Sequence, residues 1–327
     1  MSFSQAIGKT PLIELSALSA HLGRRILGKA EFLNPGGSVK DRAAKWIVDS
    51  AQASGALVVG GTIVEGTAGS TGISLALIAN ERGYRCIIFV PQDQSPEKIA
   101  LLRTIGADVR VVPVFPFSDA QNYYHLARTT AESTPGAIWA DQFENTANRR
   151  AHIEGTGPEI WRQTAGEIDA FVAAAGTGGT LAGTALALKE RKPDVLTVLC
   201  DPMGSGLFHF VNDGELRADG DSELEGIGIK RLTANFTGAP IDRAIRVEDP
   251  DAIAMAHWLL AHEGLFVGGS AALNVVGAAR TALALPAGST VVTILCDGGG
   301  RYSSRLFDRD WLDEHGLTPR APELGFL

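Results

Sequence analysis

Three stretches of the chain carry residue types and spacings that can do chemistry. The first is Asn34-Pro35-Gly36-Gly37-Ser38-Val39-Lys40-Asp41-Arg42. Pro35 and the two glycines bend the chain, Ser38 is the expected N-cap, and Ala43-Ala44-Lys45-Trp46-Ile47-Val48 continues as a helix. Lys40 therefore falls in the first turn, where the positive end of the helix dipole disfavours a cation. A lysine amine relieved of its proton is the nucleophile that forms a Schiff base with an aldehyde. A solvent-facing lysine is the ordinary reading of any single Lys; the glycine lead-in and two loops downstream outweigh it here.

The second stretch is Gly176-Thr177-Gly178-Gly179-Thr180, between an apolar run and an Ala/Leu-rich one. Backbone N–H groups at such a strand-to-helix turn cradle an anion, and two hydroxyls add donors. No Gly-Lys-Ser/Thr follows, so this is not a P-loop. Leu181 stands where a dinucleotide fingerprint needs its third glycine. The third stretch, Glu65-Gly66-Thr67-Ala68-Gly69-Ser70-Thr71-Gly72, is a hydroxyl-rich junction of the same kind, suited to a carboxylate or to a structural turn. Gly268-Gly269-Ser270-Ala271-Ala272 resembles a nucleophile elbow but lacks its final glycine and a matching His/Asp pair. The seven histidines show no metal spacing, and His152 and His262 read as structural.

The elements that must hold these loops alternate. Apolar runs at 11–15, 25–31, 62–65, 85–90, 108–114, 170–174, 195–201 and 290–296 read as strands. Helical patterns fall at 73–82, 95–105, 154–164, 181–190, 250–262 and 271–285. That alternation predicts an α/β fold of mostly parallel sheets with helices on both faces. Residues 204–235 read as a surface loop or lid. The 327 residues are 45% hydrophobic, enough for one large or two medium cores. A net charge of -8 without a basic run argues against nucleic acid and anionic membranes as partners. No secretory signal or membrane span is visible, and Cys86, Cys200 and Cys296 read as buried free thiols in a reducing cytoplasm.

One activated amine, one phosphate cradle and one carboxylate loop together describe a pyridoxal-phosphate enzyme acting on an amino acid. At this point the chain also resembles a known family, the cysteine synthase group of fold-type II pyridoxal-phosphate enzymes. The resemblance runs from Ile7-Gly8-Lys9-Thr10-Pro11-Leu12 to Arg301-Tyr302, through Gln142-Phe143, Thr156-Gly157-Pro158-Glu159-Ile160-Trp161, Glu225-Gly226-Ile227-Gly228 and 297–302. It is nearest the branch written E-G-T-A-G-[NS]-T-G.

The resemblance implies a two-domain fold: residues 1–145 as a smaller mobile domain, with about 11–34 crossing over, and 146–327 as the larger cofactor-binding domain. It implies that Lys40 holds the cofactor and moves the α-proton, and that Gly176, Thr177, Gly178, Gly179 and Thr180 bind its phosphate. Thr67, Ala68, Gly69, Thr71 and Gln142 would hold the substrate carboxylate, and Gly226 would line the substrate face. The implied reaction is β-replacement through an aminoacrylate, most simply O-acetyl-L-serine and sulfide to L-cysteine and acetate, in a cytoplasmic homodimer.

Three positions depart from the family pattern. Ser70 replaces an asparagine that bonds the cofactor's 3-oxygen, Ala68 replaces a serine, and Gly298 replaces a serine that faces the pyridine nitrogen. An unprotonated ring is a weaker electron sink, suited to β-elimination with a good leaving group. The substrate pair therefore stays open between cysteine synthesis, cysteine desulfhydration and a synthase with another nucleophile. A catalytically idle binding relative and a nicotinamide dehydrogenase are the readings from other classes. The intact Lys40 and phosphate loop oppose the first, and the missing acidic residue of a dinucleotide site opposes the second.

Overall fold

The computed structural model describes residues 1–319 and 324–327. Its strands are β1 Leu12–Glu14, β2 Arg25–Ala30, β3 Thr62–Gly66, β4 Arg85–Pro91, β5 Asp108–Val112, β6 Ala137–Trp139, β7 Ala170–Ala173, β8 Leu196–Pro202, β9 Arg243–Val247 and β10 Thr290–Leu295. They form a six-stranded sheet ordered β1-β2-β10-β7-β8-β9 and a four-stranded sheet ordered β5-β4-β3-β6. Every pairing is parallel except β1 with β2. β3, β7 and β10 are buried along their whole length, as parallel strands covered on both faces must be. The α/β expectation holds, with the antiparallel β1 edge as its exception.

Several elements were not anticipated. Between β1 and β2 the chain forms the helix Ser16–Leu22, whose Leu18 and Leu22 are buried one turn apart and which ends on Gly23 at φ 63. The helix Tyr123–Ser133 buries Tyr124, Ala127 and Ala131, and Asn122 caps it by accepting from the Tyr124 N–H at 3.0 Å. The segment read as a continuous loop, 204–235, contains the helix Leu207–Asp213. The helix read over 154–164 starts inside a π-turn, His152–Thr156, and continues as the helix Gly157–Gln163, with the helix Ala147–Ala151 leading into both. β6 and β9 are short and only partly buried, so neither carries a run of apolar residues long enough to declare it.

A buried charge network ties the β2 edge of the larger sheet and the helix Gly157–Gln163 to the first turn of the helix Lys40–Ala53. Arg42 Nε donates to Glu31 Oε2 at 2.7 Å and Arg42 Nη2 to Glu159 Oε2 at 2.7 Å. Lys29 Nζ, on β2, pairs with the same Glu159 oxygen at 2.7 Å. Thr10 Oγ1 donates to Glu31 Oε1 at 2.6 Å, and the Lys9 N–H donates to Glu159 Oε1 at 3.0 Å. Two cations, two carboxylates and a hydroxyl thus satisfy one another out of water, the condition for burying charge at all.

Candidate active site

The lysine turn is built by its own side chains. The Gly36 N–H donates to Asp41 Oδ2 at 2.6 Å, and Ser74 Oγ donates to Asp41 Oδ1 at 2.5 Å. Burial raises the Asp41 carboxyl to about 6, against these bonds. The helix begins at Lys40 with Val39, not Ser38, at the cap position. Ser38 is instead drawn into a bridge with Asp297, and the Val39 N–H donates to the Cys296 carbonyl at 2.9 Å. Ser38 Oγ still accepts from the Lys40 N–H at 3.3 Å. The outcome is the one the sequence implied: Lys40 stands in a first helical turn, on the wall of a cavity.

Across that cavity the helix Gly179–Lys189 starts from Gly178, whose φ is 86. Its first-turn N–H groups have no acceptor within the helix. Asn148 Nδ2 donates to Thr177 Oγ1 at 2.9 Å, and Thr233 Oγ1 donates to the Thr177 carbonyl at 2.8 Å, so the loop is braced from behind. Thr180 Oγ1 and His152 Nε2 are 3.2 Å apart, and His152 Nδ1 and Thr156 Oγ1 are 2.8 Å apart. Burial, and then the charges of Arg42 and Lys40, push the His152 imidazole well down, leaving a neutral ring that orders Thr180. A Cβ at residue 178 would lie 2.6 Å from Phe236 Cβ as well as forcing positive φ on a side chain. Gly178→Ala is therefore expected to weaken cofactor affinity about five- to thirtyfold, since strain of about 1–2 kcal/mol falls on the cradle itself. A spectrophotometric titration with pyridoxal phosphate measures it, and an unchanged Kd would show that the loop does not hold the anion.

The hydroxyl loop closes the third side. The helix Ser70–Arg82 starts after Gly69, whose φ is 124. Thr71 Oγ1 donates to Gln142 Oε1 at 2.5 Å, and Gln142 Nε2 donates to the Gly66 carbonyl at 3.2 Å. Behind them Glu65 is fully buried and its carboxyl is raised well above the usual range, by burial and by Asp141.

The cavity brings together Lys40, Thr67, Ala68, Ser70, Thr71, Gln142, Gly176, Thr177, Gly178, Thr180 and Gly226. Three expected residues do not line it. A Cβ at residue 69 would run into the Lys98 side chain, and one at residue 179 into Asn148. Gly298 pairs with Val267 outside the cavity, while its neighbour Asp297 lies on the wall. Asp297 is buried; Oδ2 accepts from Tyr302 at 2.8 Å and Oδ1 has no partner among the described residues.

Other wall residues escaped the sequence reading. Lys98 is buried, pairs with Glu225 Oε2 at 2.6 Å and lies 4.3 Å from the centre of the Tyr302 ring. It stands in the first turn of the helix Pro96–Thr104, so the criterion that singled out Lys40 would have found it too. Arg305 Nη1 donates to Glu225 Oε1 at 2.9 Å, joining the segment after β10 to the same carboxylate. Cys296 also lines the cavity, half-buried rather than sealed in the core as Cys86 and Cys200 are, and burial pushes its thiol up to about 11. Ser270, read above as an incomplete elbow, faces the same cavity, whose wall holds no histidine among the described residues.

A pyridoxal phosphate needs an amine for its aldehyde, an anion cradle for its phosphate and a slot of small or apolar side chains for its ring. Lys40, the start of the helix Gly179–Lys189, and the Ala173, Ala174 and Ile294 walls supply all three around one cavity. Comparison with known proteins agrees with that fit. The family described as pyridoxal-phosphate dependent enzyme matches residues 3–297. "Cysteine synthase 1" of Emericella nidulans is 50% identical over 325 residues, covering 98% of this chain and 88% of that protein. "Cysteine synthase" of Dictyostelium discoideum is 46% identical, covering 96% and 85%. Among solved structures, an O-acetylserine dependent cystathionine beta-synthase from Helicobacter pylori superposes with a TM-score of 0.84 at 35% identity, covering 93% of this chain and 97% of that one. An O-ureido-L-serine synthase gives 0.86 at 34%, covering 94% and 95%. A match over almost the whole chain, on a site whose residues fit the cofactor, makes the conclusion plain: the chain belongs to the family of pyridoxal-phosphate dependent enzymes, in the fold-type II group that includes the cysteine synthases.

Proposed function

We propose that the chain catalyses β-replacement at an activated L-serine, converting O-acetyl-L-serine and sulfide to L-cysteine and acetate. The observation that carries this reading is the convergence of Lys40, the Gly176–Thr180 cradle and the Thr67–Thr71 loop with Gln142 around one cavity. Pyridoxal phosphate, bound there, supplies an electron sink for the carbanion formed at the substrate α-carbon. Lys40 Nζ would hold the cofactor's aldehyde between turnovers, and as a free amine it would be the base that takes the substrate α-proton. Thr67, Thr71 and Gln142, with the backbone of Ala68 and the helix N-terminus at Ser70, orient the substrate carboxylate. Gly226, at φ 80, lines the substrate face. Relatives named cysteine synthase at 46–50% identity support the same substrates.

In this reading residues about 1–145, around the four-stranded sheet and without about 11–34, which cross to the larger sheet, form the smaller unit, which closes on the substrate and excludes water. Lys98 and Glu225 pair between the helix Pro96–Thr104 and the loop that carries Gly226, where such closure would be felt. The reading extends to a homodimer in the cytoplasm, acting only on small molecules. Three unpaired cysteines fit a reducing compartment, and no helix among the described residues is long and apolar enough to cross a membrane.

The test is product analysis on the purified yellow protein with O-acetyl-L-serine, with and without sulfide. Cysteine formed only when sulfide is present is the expected result. Pyruvate and ammonia in place of cysteine would move the function to β-elimination, and a protein that leaves O-acetyl-L-serine intact would overturn the proposed substrate.

A further inference from the structure

Ser70 is too short to do by itself what the asparagine of the family pattern does, and the structure shows what stands behind it. Arg301, in the turn Gly299–Tyr302 after β10, reaches across to the loop after β3 in the four-stranded sheet and to the lysine turn that follows β2. Its Nη1 donates to Ser70 Oγ at 3.0 Å and its Nη2 donates to the Gly36 carbonyl in the lysine turn. A guanidinium has only donors, so Ser70 Oγ must accept from it. The single proton of the Ser70 hydroxyl then remains to be given elsewhere, and it has no acceptor among the described residues. Ser70 lies on the cavity wall with Lys40.

We propose that Arg301 is a positioning residue that acts through Ser70, orienting its hydroxyl to donate to an anionic oxygen, the 3-oxygen of the bound pyridoxal ring. The fork fixes the hydroxyl by occupying its acceptor side, and the cation behind it polarises the O–H and strengthens the donation. The same guanidinium holds Gly36, so the donor and the Lys40 turn move together. Two residues remote in sequence thus replace one asparagine amide. The inference rests on the reading that Ser70 faces the cofactor.

The test compares Arg301→Met, Ser70→Ala and the double variant, loaded with pyridoxal phosphate and without substrate. The readouts are the ratio of the yellow band to near-ultraviolet absorbance at fixed pH, and the Kd from a cofactor titration. A donor at the 3-oxygen favours the charge-separated yellow form. Each single change is therefore expected to lower the ratio roughly tenfold, the worth of one charge-assisted hydrogen bond, with the double variant no lower. In a Ser70→Asn background, which restores the amide donor, Arg301→Met should leave the ratio unaltered. Should Arg301→Met not fold, Arg301→Lys replaces it, with a ratio between wild type and Ser70→Ala. An unchanged ratio in Ser70→Ala, or an Arg301 effect that persists undiminished without the serine, overturns the proposal. Sulfide-dependent turnover by the wild-type protein is scored separately, so the substrate reading stands or falls on its own.

Discussion

Lys40→Ala is expected to abolish turnover while leaving the fold intact. Loss of the general base alone costs roughly 10²–10⁴ in rate, and loss of the covalent anchor adds to it. The fold should be indifferent, because Lys40 Nζ makes no hydrogen bond or ion pair among the described residues and alanine is a better helix former. Steady-state kinetics on O-acetyl-L-serine, beside a thermal melt of the cofactor-free protein, separates the two claims. The variant should bind the cofactor as a free aldehyde, with the spectrum that implies. Activity within tenfold of wild type would remove Lys40 from the chemistry.

Arg42→Met should cost more stability than any other single change proposed for this chain. Methionine fills much of the space but leaves the carboxylates of Glu31 and Glu159 with Lys29 as the one remaining buried cation beside them. Breaking such a network by removing one partner costs about 3–5 kcal/mol. Urea unfolding at pH 7 measures it, and a loss under about 1 kcal/mol would mean that the network relaxes or takes in water.

The pH dependence has a definite sign. Burial alone would raise the Glu159 carboxyl, yet Arg42 and then Lys29 hold it down at about 2. Its ionised form thus stabilises the fold fully above the ordinary glutamate range near 4.5, and that contribution is lost as pH falls toward about 2. Asp41 and Asp201, each raised to about 6 by burial, run the other way: their contribution is present below the ordinary aspartate range and is lost as pH rises through about 6. A stability profile should show both slopes in the wild type. Arg42→Met should flatten the acid one.

What could be read from the sequence was what short segments encode. A glycine pair before a lysine, or Gly-Thr-Gly-Gly-Thr after an apolar run, carries its meaning in the backbone it demands, and both loops reached the cavity as expected. Lys98 was also legible and went unread, since it too sits in a first helical turn. Contacts between distant segments were not legible. Nothing near Ser70 announces Arg301, and nothing near Asp297 says that it, and not Gly298, borders the cavity. The short strands β6 and β9 lacked a pattern because parallel neighbours, not their own residues, make them strands.

The place of β2 in the larger sheet has a consequence for synthesis on the ribosome. Arg25 pairs with Thr290 and Ala30 with Leu295, whereas β3, β4, β5 and β6 all lie within residues 62–139. The smaller sheet can close as soon as that segment emerges. β2 must wait, with one edge covered by β1 and the other open, until β10, the last strand among the described residues, is made. An unpaired edge of Ile-Leu-Gly-Lys-Ala is a template for another chain. Its early exit and late partner make this strand the point where a nascent chain is most exposed to misassembly, and where a chaperone would do most good.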